Sequence, residues 1–425
     1  MFNHNILAIQ DESTNRCIGW GNNTDGQLGF SNTIKGNQIY SIKNVPTKIK
    51  HIASGSMHTI IYDEYNNVYG FGNNMFGQLG TNEPNIKSYC IPKLILSYEK
   101  IKTIVCGLNF SIIYRENGDI LVAGNNNNCQ LGFPDKKQRN DFTFLCNDQN
   151  VKIIKCGCNY TIAYKYNGDL IGFGSNIYGQ LGFAKKLTII SKPRKILNNK
   201  NIINIECGHY HTIITTIDGC IYGSGYNCMG QLGTGNIDNN LSGNIHNNSY
   251  RFIPIVREQY LRQIVCGGHH TIILDKFGNV YGAGGNTAGQ LGLIDRKNYY
   301  KFTKITKNNG IRTISAGSTH TILYENNGNI IIFGNNMYGQ LGYDTKTPFS
   351  VVMHKLANKT DVKIINNTKV GDIYLTPESF CSLDKIKMTE ILVFLRIHAI
   401  YNKKYTQYTY PLKYTKWKII NFILK

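Results

Sequence analysis

Gly26-Gln27-Leu28-Gly29 is written again as Gly77-Gln78-Leu79-Gly80, Gly179-Gln180-Leu181-Gly182, Gly230-Gln231-Leu232-Gly233, Gly289-Gln290-Leu291-Gly292 and Gly339-Gln340-Leu341-Gly342. A seventh copy, Cys129-Gln130-Leu131-Gly132, has cysteine for the first glycine. The glutamines stand at 27, 78, 130, 180, 231, 290 and 340, in steps of 51, 52, 50, 51, 59 and 50 residues. A spacing that steady means one supersecondary unit repeated in space.

The unit reads most clearly ahead of Gln340. Ile311 to Ala316, Ile322 to Tyr324 and Ile330 to Phe333 are short apolar runs separated by Gly317, Asn327-Gly328 and Gly334-Asn335-Asn336. Asn-Gly between two such runs is a hairpin signal, and it predicts positive φ at both turn positions. Asn117-Gly118, Asn167-Gly168 and Asp218-Gly219 hold the same place in sister units. Sheets of three or four strands at a period near 50 predict an all-β chain, a seven-bladed β-propeller whose blades bury their faces on one another.

A kelch propeller has a similar period, but the anchor argues otherwise. Trp20-Gly21-Asn22-Asn23 ahead of Gln27, with Cys207-Gly208 and His211-Thr212 ahead of Gln231, resembles the regulator of chromosome condensation repeat. The likeness covers about residues 1–370 and all seven copies. It implies a seven-bladed ring whose last blade is completed from both chain ends. Ile6 to Ile9 and Cys17 to Trp20 match the second and third runs of a unit, and Val362 to Ile365 matches the missing first run. Such a closure removes sheet edges. Residues 371–425 form a separate basic, Tyr-rich extension, with a helix expected over Leu383 to Tyr401 after the start signals Thr376-Pro377-Glu378 and Ser382.

Composition bounds the partners. The chain has 425 residues and a net charge of +20, which favours acidic partners, but lysines scattered through loops of an Asn/Ile/Tyr-rich chain also fit a compositional bias. No apolar run is long enough to span a membrane, and Met1 to Asn5 does not read as a secretory leader. The expected setting is intracellular, cytoplasmic or nuclear. Cys106, Cys156, Cys207 and Cys266 precede the turn glycine of their units, where Ala316 stands in another. They read as small buried core residues with reduced thiols, not as a disulfide or metal framework.

His58, His211, His270 and His320 share a register that Phe110 and Tyr160 also fill. A residue exchangeable with Phe or Tyr is a packed strand residue, so the histidines are not read as ligands or bases. The glycine strings lack a Gly-Lys-Ser/Thr ending and are not a phosphate loop. No catalytic set, metal site or cofactor site is expected.

What remains is binding. The expected function is a non-catalytic protein-protein interaction platform. The resemblance implies an alternative, guanine-nucleotide exchange on a small GTPase, which the family's name-giving member performs with a wedge projecting from a blade. A basic propeller bound to nucleic acid or chromatin is a further alternative, and is not favoured. The name-giving member's basic N-terminal arm has no counterpart ahead of Ile6. The nearest candidate for a wedge is Gly132 to Asn150, and the candidate partner-binding residues are Asp135, Lys136, Lys137, Arg139, Phe142 and Phe144, with Tyr250 and Arg251 from the enlarged 59-residue step.

Overall fold

A computed structural model of the chain describes residues 4–10, 15–30, 36–42, 49–183, 187–235, 248–258, 260–306, 310–327, 329–342, 349–356, 364–365 and 374–375. Six sheets of four antiparallel strands succeed one another over 49–96, 101–147, 151–198, 202–257, 261–306 and 311–356. In each blade the strands pair in chain order. A further sheet at the start has three strands, His4–Gln10, Asn15–Gly21 and Gly36–Ile42.

Among the described residues six blades are complete where seven were expected, and the sheet at the start shows three strands. The short strand Ile364–Ile365 runs beside His4–Gln10, but its hydrogen bonds go to Tyr374–Leu375. Closure of the three-stranded sheet by 362–365 is thus a proposal about its inner edge. The first compact unit is Met1–Tyr374 and the second Leu375–Lys425. The helix expected over 383–401, residues 236–247 of the enlarged step, and Lys185 and Lys186 lie outside the described residues.

The first strands of successive blades are neighbours, so they are innermost and surround the axis. They are joined there by a belt of backbone bonds. Ser56 N–H donates to Leu108 O, Leu108 to Cys158, Cys158 to His209, His209 to Gly268 and Gly268 to Ser318, at 3.0–3.2 Å. Turns between first and second strands, and the Gly-Gln-Leu-Gly loops between third and fourth strands, lie on one face. The second-to-third hairpins and the links between blades lie on the other.

Those hairpins differ from the expected turn. Gly118, Gly168 and Gly219 have φ of +94, +92 and +81°, while Asn117, Asn167 and Asp218 stay at negative φ. Gly118 N–H donates to Arg115 O at 3.1 Å. The loop is an ordinary turn closed by a left-handed glycine, the arrangement of a three-residue hairpin loop. Asn117 contributes through its side chain, whose Oδ1 accepts from Asp119 N–H.

The anchor explains its own repetition. In all seven copies the Gln Oε1 accepts from the backbone N–H two residues earlier, at 2.9–3.2 Å. An asparagine four residues before the Gln accepts from the N–H of the following Leu, at 2.8–3.1 Å. The seven leucines are fully buried. Gly77, at φ +76°, lies so close to the next blade that a Cβ there would be 2.5 Å from Asn140 Cα. No L side chain fits that position without displacing backbone.

The main-chain oxygen of each Gln is the clamp to the next blade. Thr59, Ser111, Thr161, Thr212, Thr271 and Thr321 donate to the carbonyls of Gln27, Gln78, Gln130, Gln180, Gln231 and Gln290, at 2.6–3.0 Å. The repeated histidines complete it. His58 Nε2 lies 2.9 Å from Ser111 Oγ, and His211 and His270 Nε2 lie 3.0 Å from Thr271 and Thr321 Oγ1. Because each hydroxyl hydrogen is committed to a Gln carbonyl, the hydroxyl oxygen accepts and the ring Nε2–H donates. Burial pushes His58 and His270 down to about 3 and His320 to about 4, so these rings are neutral at pH 7. The structural reading of this register holds: His58, His211 and His270 are fully buried, as are Phe110 and Tyr160. Cys106, Cys156, Cys207 and Cys266 are buried in the blade interfaces.

Candidate interaction face

The inner part of the anchor face is almost free of charge among the described residues. Its turns at 55–57, 107–109, 157–159, 208–210, 267–269 and 317–319, and the seven stretches from the capping asparagine to the last glycine of the anchor, contain a single Asp, Glu, Lys or Arg, Asp25, whereas the outer parts of the anchor loops carry Glu83, Lys87, Asp135, Lys136, Lys137, Asp295, Arg296 and Lys297. The Asp25 carboxylate accepts from Asn73 Nδ2 at 2.6 Å. Around the axial belt stand the half-buried Met57, Asn109, Asn159, Tyr210, His269 and Thr319.

One sector of this face is aromatic. Tyr178 lies 5.1 Å from both Tyr210 and Tyr226, ring centre to ring centre, and Tyr226 lies 5.6 Å from His269. His209 sits below, 5.2 Å from His269, nearly buried. Its Nε2 is 3.3 Å from Ser318 Oγ, two blades away. Gly268 makes room for that reach, since a Cβ there would be 2.8 Å from His209 Cε1. Burial raises the phenol of Tyr210, and burial followed by the bond to Cys228 pushes Tyr226 up to about 12. The hydroxyls are neutral donors at any physiological pH. Exposed Ile177 adjoins Tyr178, and Tyr250 OH donates to Ile177 O at 3.2 Å. Rigid tyrosines with polar tips on an uncharged ground have the composition of an interface centre.

The candidate residues of the sequence fall into two places. Asp135 and Arg139 pair with each other at 2.7 Å, and the guanidinium lies 4.6 Å from the Phe133 ring centre. Lys136 and Lys137 are exposed on the same short turn. Phe142 packs on Gly80 in the previous blade interface, while Phe144 is exposed. Residues 132–150 do not project as a wedge: Arg139–Asn147 is an outermost strand paired, with two shifts of register, along Asp119–Gly124. Tyr250 and exposed Arg251 lie on an outermost strand two blades further on. Of the eight, only Tyr250 reaches the aromatic sector. Tyr178, Tyr210, Tyr226 and His209 carry no motif of their own in the sequence, and His269 stands out there only as one of a doubled pair. The available signal is the break in register, where Tyr210 and His269 replace the Asn109 and Asn159 of sister units.

The opposite face differs in charge. The second residue of the innermost strand is Lys50, Lys102, Lys152, Arg262 and Arg312 in five of the six complete blades, and Ile203 in the sixth. Among the described residues no group of three or more His, Cys, Asp or Glu could hold a metal ion, and no helix is long and apolar enough to cross a membrane.

A ring of antiparallel four-stranded blades clamped by a repeated Gly-Gln-Leu-Gly loop defines a β-propeller of one class. Residues 3–244 match the RCC1-like domain, and 218–274 and 278–324 match the regulator of chromosome condensation (RCC1) repeat. The chain belongs to the RCC1-like domain family. It is 26% identical to the ultraviolet-B receptor UVR8 of Arabidopsis thaliana over 64% of this chain and 50% of that protein. It is 32% identical to the human X-linked retinitis pigmentosa GTPase regulator over 66% of this chain and 27% of that protein. This chain thus spans half or less of these relatives. Among solved structures, yeast RCC1 (Prp20), bound to Kap60, superposes with a TM-score of 0.71 at 19% identity, covering 84% of this chain and 85% of that one.

Proposed function

We propose that this chain is a non-catalytic protein-protein interaction platform, and that a protein partner docks on the aromatic sector of the anchor face. The observation that carries this reading is the group Tyr178, Tyr210, Tyr226 and His269 on the inner part of the anchor face, whose first-to-second-strand turns and anchor motifs hold a single charged side chain among the described residues. Interface centres are rich in tyrosine and poor in charge. The rings are held by one another and by the blade edges, so little rotamer freedom is lost on docking. Ten cysteine thiols among the described residues suit a reducing compartment, cytoplasmic or nuclear.

Exchange on a small GTPase is the competing reading, motivated by the name of the human relative. An exchange face for a basic GTPase surface should be acidic, and the inner part of this face has only Asp25, while its outer loops mix Glu83, Asp135 and Asp295 with Lys87, Lys136, Lys137, Arg296 and Lys297. The test measures both. A partner captured from extract by cross-linking should attach to peptides of 175–230 and 267–269. It should be lost on Tyr178→Ala with Tyr226→Ala and retained on Phe144→Ala. Nucleotide release from a panel of small GTPases should stay at the intrinsic rate. Acceleration of about tenfold or more would overturn the platform in favour of exchange, since exchange requires only preferential binding of the nucleotide-free state.

A further inference from the structure

The ring on the hairpin face cannot be read as a bias of composition. Lys and Arg are 46 of 425 residues, about one in nine, yet five of six blades place one at a single register. Fold symmetry makes that register a circle around the axis, because the innermost strands of successive blades are neighbours. Like charges brought side by side cost stability unless something neutralises them. Burial, followed by the charge of Arg312, lowers the pKa of Arg262.

Four members of the circle, Lys50, Lys102, Lys152 and Arg262, form no salt bridge among the described residues. The nearby carboxylates have other partners: Glu99 pairs with Arg115 at 2.7 Å and Asp148 with Lys165 at 2.6 Å, while Asp63, Asp275 and Glu325, on the paired second strands, accept from the Asn67, Asn279 and Asn329 amides at 3.2, 2.7 and 2.7 Å. The lysines are positioned by neutral groups instead. Lys50 lies 5.3 Å from the Tyr62 ring centre and donates to Asn66 Oδ1, and Lys102 lies 5.0 and 5.5 Å from the rings of Tyr114 and Tyr166. Lys152 lies 5.8 Å from the Tyr164 ring. Each ammonium keeps spare donors in a fixed place.

We propose that the axial ring of Lys50, Lys102, Lys152, Arg262 and Arg312 is a binding site for a compact small molecule carrying several phosphate groups. A ring of point charges matches an anion whose charges surround a centre. An extended nucleic acid crossing the face would pass over Glu99, Asp148 and Glu258 in the links between blades, so the geometry favours the compact ligand.

The probe is inositol hexakisphosphate, titrated calorimetrically into the full chain at low and moderate salt, beside a single-stranded DNA 20-mer and a polyglutamate peptide. The compact phosphate should bind at one site and more tightly than either polymer. Lys102→Gln with Lys152→Gln should weaken it at least tenfold, whereas Lys102→Arg with Lys152→Arg should retain it. Lys93→Gln with Lys136→Gln on the outer strands and rim should leave it unchanged. Equal weakening by ring and rim variants, tighter binding of DNA or polyglutamate, or no binding at low salt would each overturn the proposal. Unchanged melting of the Gln variant separates lost binding from lost folding.

Discussion

Trp20 Nε1 donates to the main-chain oxygen of Gln340 at 3.1 Å, across 320 residues of sequence. At six other interfaces the same Gln oxygen accepts from a Ser or Thr on the second strand of the next blade. In the N-terminal sheet Asn5 stands across from Trp20, and the indole donates in place of a hydroxyl. This bond carries the circle of clamps over the gap between the last blade and the first sheet. Trp20→Phe removes the bond and the smaller ring of the indole and should cost about 1–3 kcal/mol. Trp20→Ala should cost roughly 3–5 kcal/mol, because the ring is almost wholly buried. Deleting residues 1–20 should open the ring and produce an aggregating chain. A truncated chain that stays monomeric and melts like the parent would rule out closure here.

The clamp makes a second expectation specific. Thr271 Oγ1 accepts from His211 and donates to Gln231, within the interface of two blades. Thr271→Val keeps the shape and strands both partners in a dry interface. Denaturant unfolding should show a loss of about 1–3 kcal/mol. His211→Phe added to Thr271→Val should cost less than the sum of the two single changes, since the stranded ring N–H is gone. Strict additivity would show that the two side chains are not coupled.

Most of this architecture is legible in the repeat. Seven glutamines at a near-constant step imply a ring of like units, because a blade cannot bury its faces without neighbours. The exchange of His58 for Phe110 or Tyr160 at one register marks those residues as structural, and they are buried against the turn glycines Gly55, Gly107 and Gly157. The aromatic sector is hidden in the sequence because it is assembled from three blades. Tyr178, Tyr210 and His269 come from two kinds of loop and are distant in sequence. Likewise Lys50 and Arg262 read as scattered charge until the innermost strands place them on one circle. The number of complete blades is not legible, because two short matching runs do not reveal which edge their hydrogen bonds serve.

Acid sensitivity follows from the buried imidazoles. An unfolded histidine titrates near 6.5, and His58, His270 and His320 do so at about 3, 3 and 4 when folded. The unfolded chain therefore binds more protons between these values, and stability falls as pH drops from about 6.5 toward 4. Above 6.5 the contribution is complete. Each histidine adds a slope of about 1.4 kcal/mol per pH unit within that window. His270→Phe, a side chain already accepted at Phe110, should flatten the slope by about one proton in unfolding measured at pH 6, 5 and 4. An unchanged slope would mean that His270 is protonated in the fold.

Cys129 tests the anchor itself. It stands where six other copies have glycine, and it holds φ +59° where Gly77 has +76° and Gly179 +83°. A non-glycine residue in that region carries a cost on the order of 1 kcal/mol. Against this, its side chain is fully buried, and burial raises the thiol pKa, so it sits there neutral. Cys129→Gly removes the strain and also removes the packed sulfur, and it frees the unfolded chain. The two effects are of similar size, so the expected change is neutral or stabilising by less than about 1 kcal/mol. Cys129→Ala separates them, because it keeps the strained φ and loses only the sulfur. It should be less stable than both the parent and the glycine variant. If the glycine variant instead unfolds several kcal/mol more easily, the sulfur contributes more than its volume, and the missing glycine of the third anchor is a selected feature of this blade.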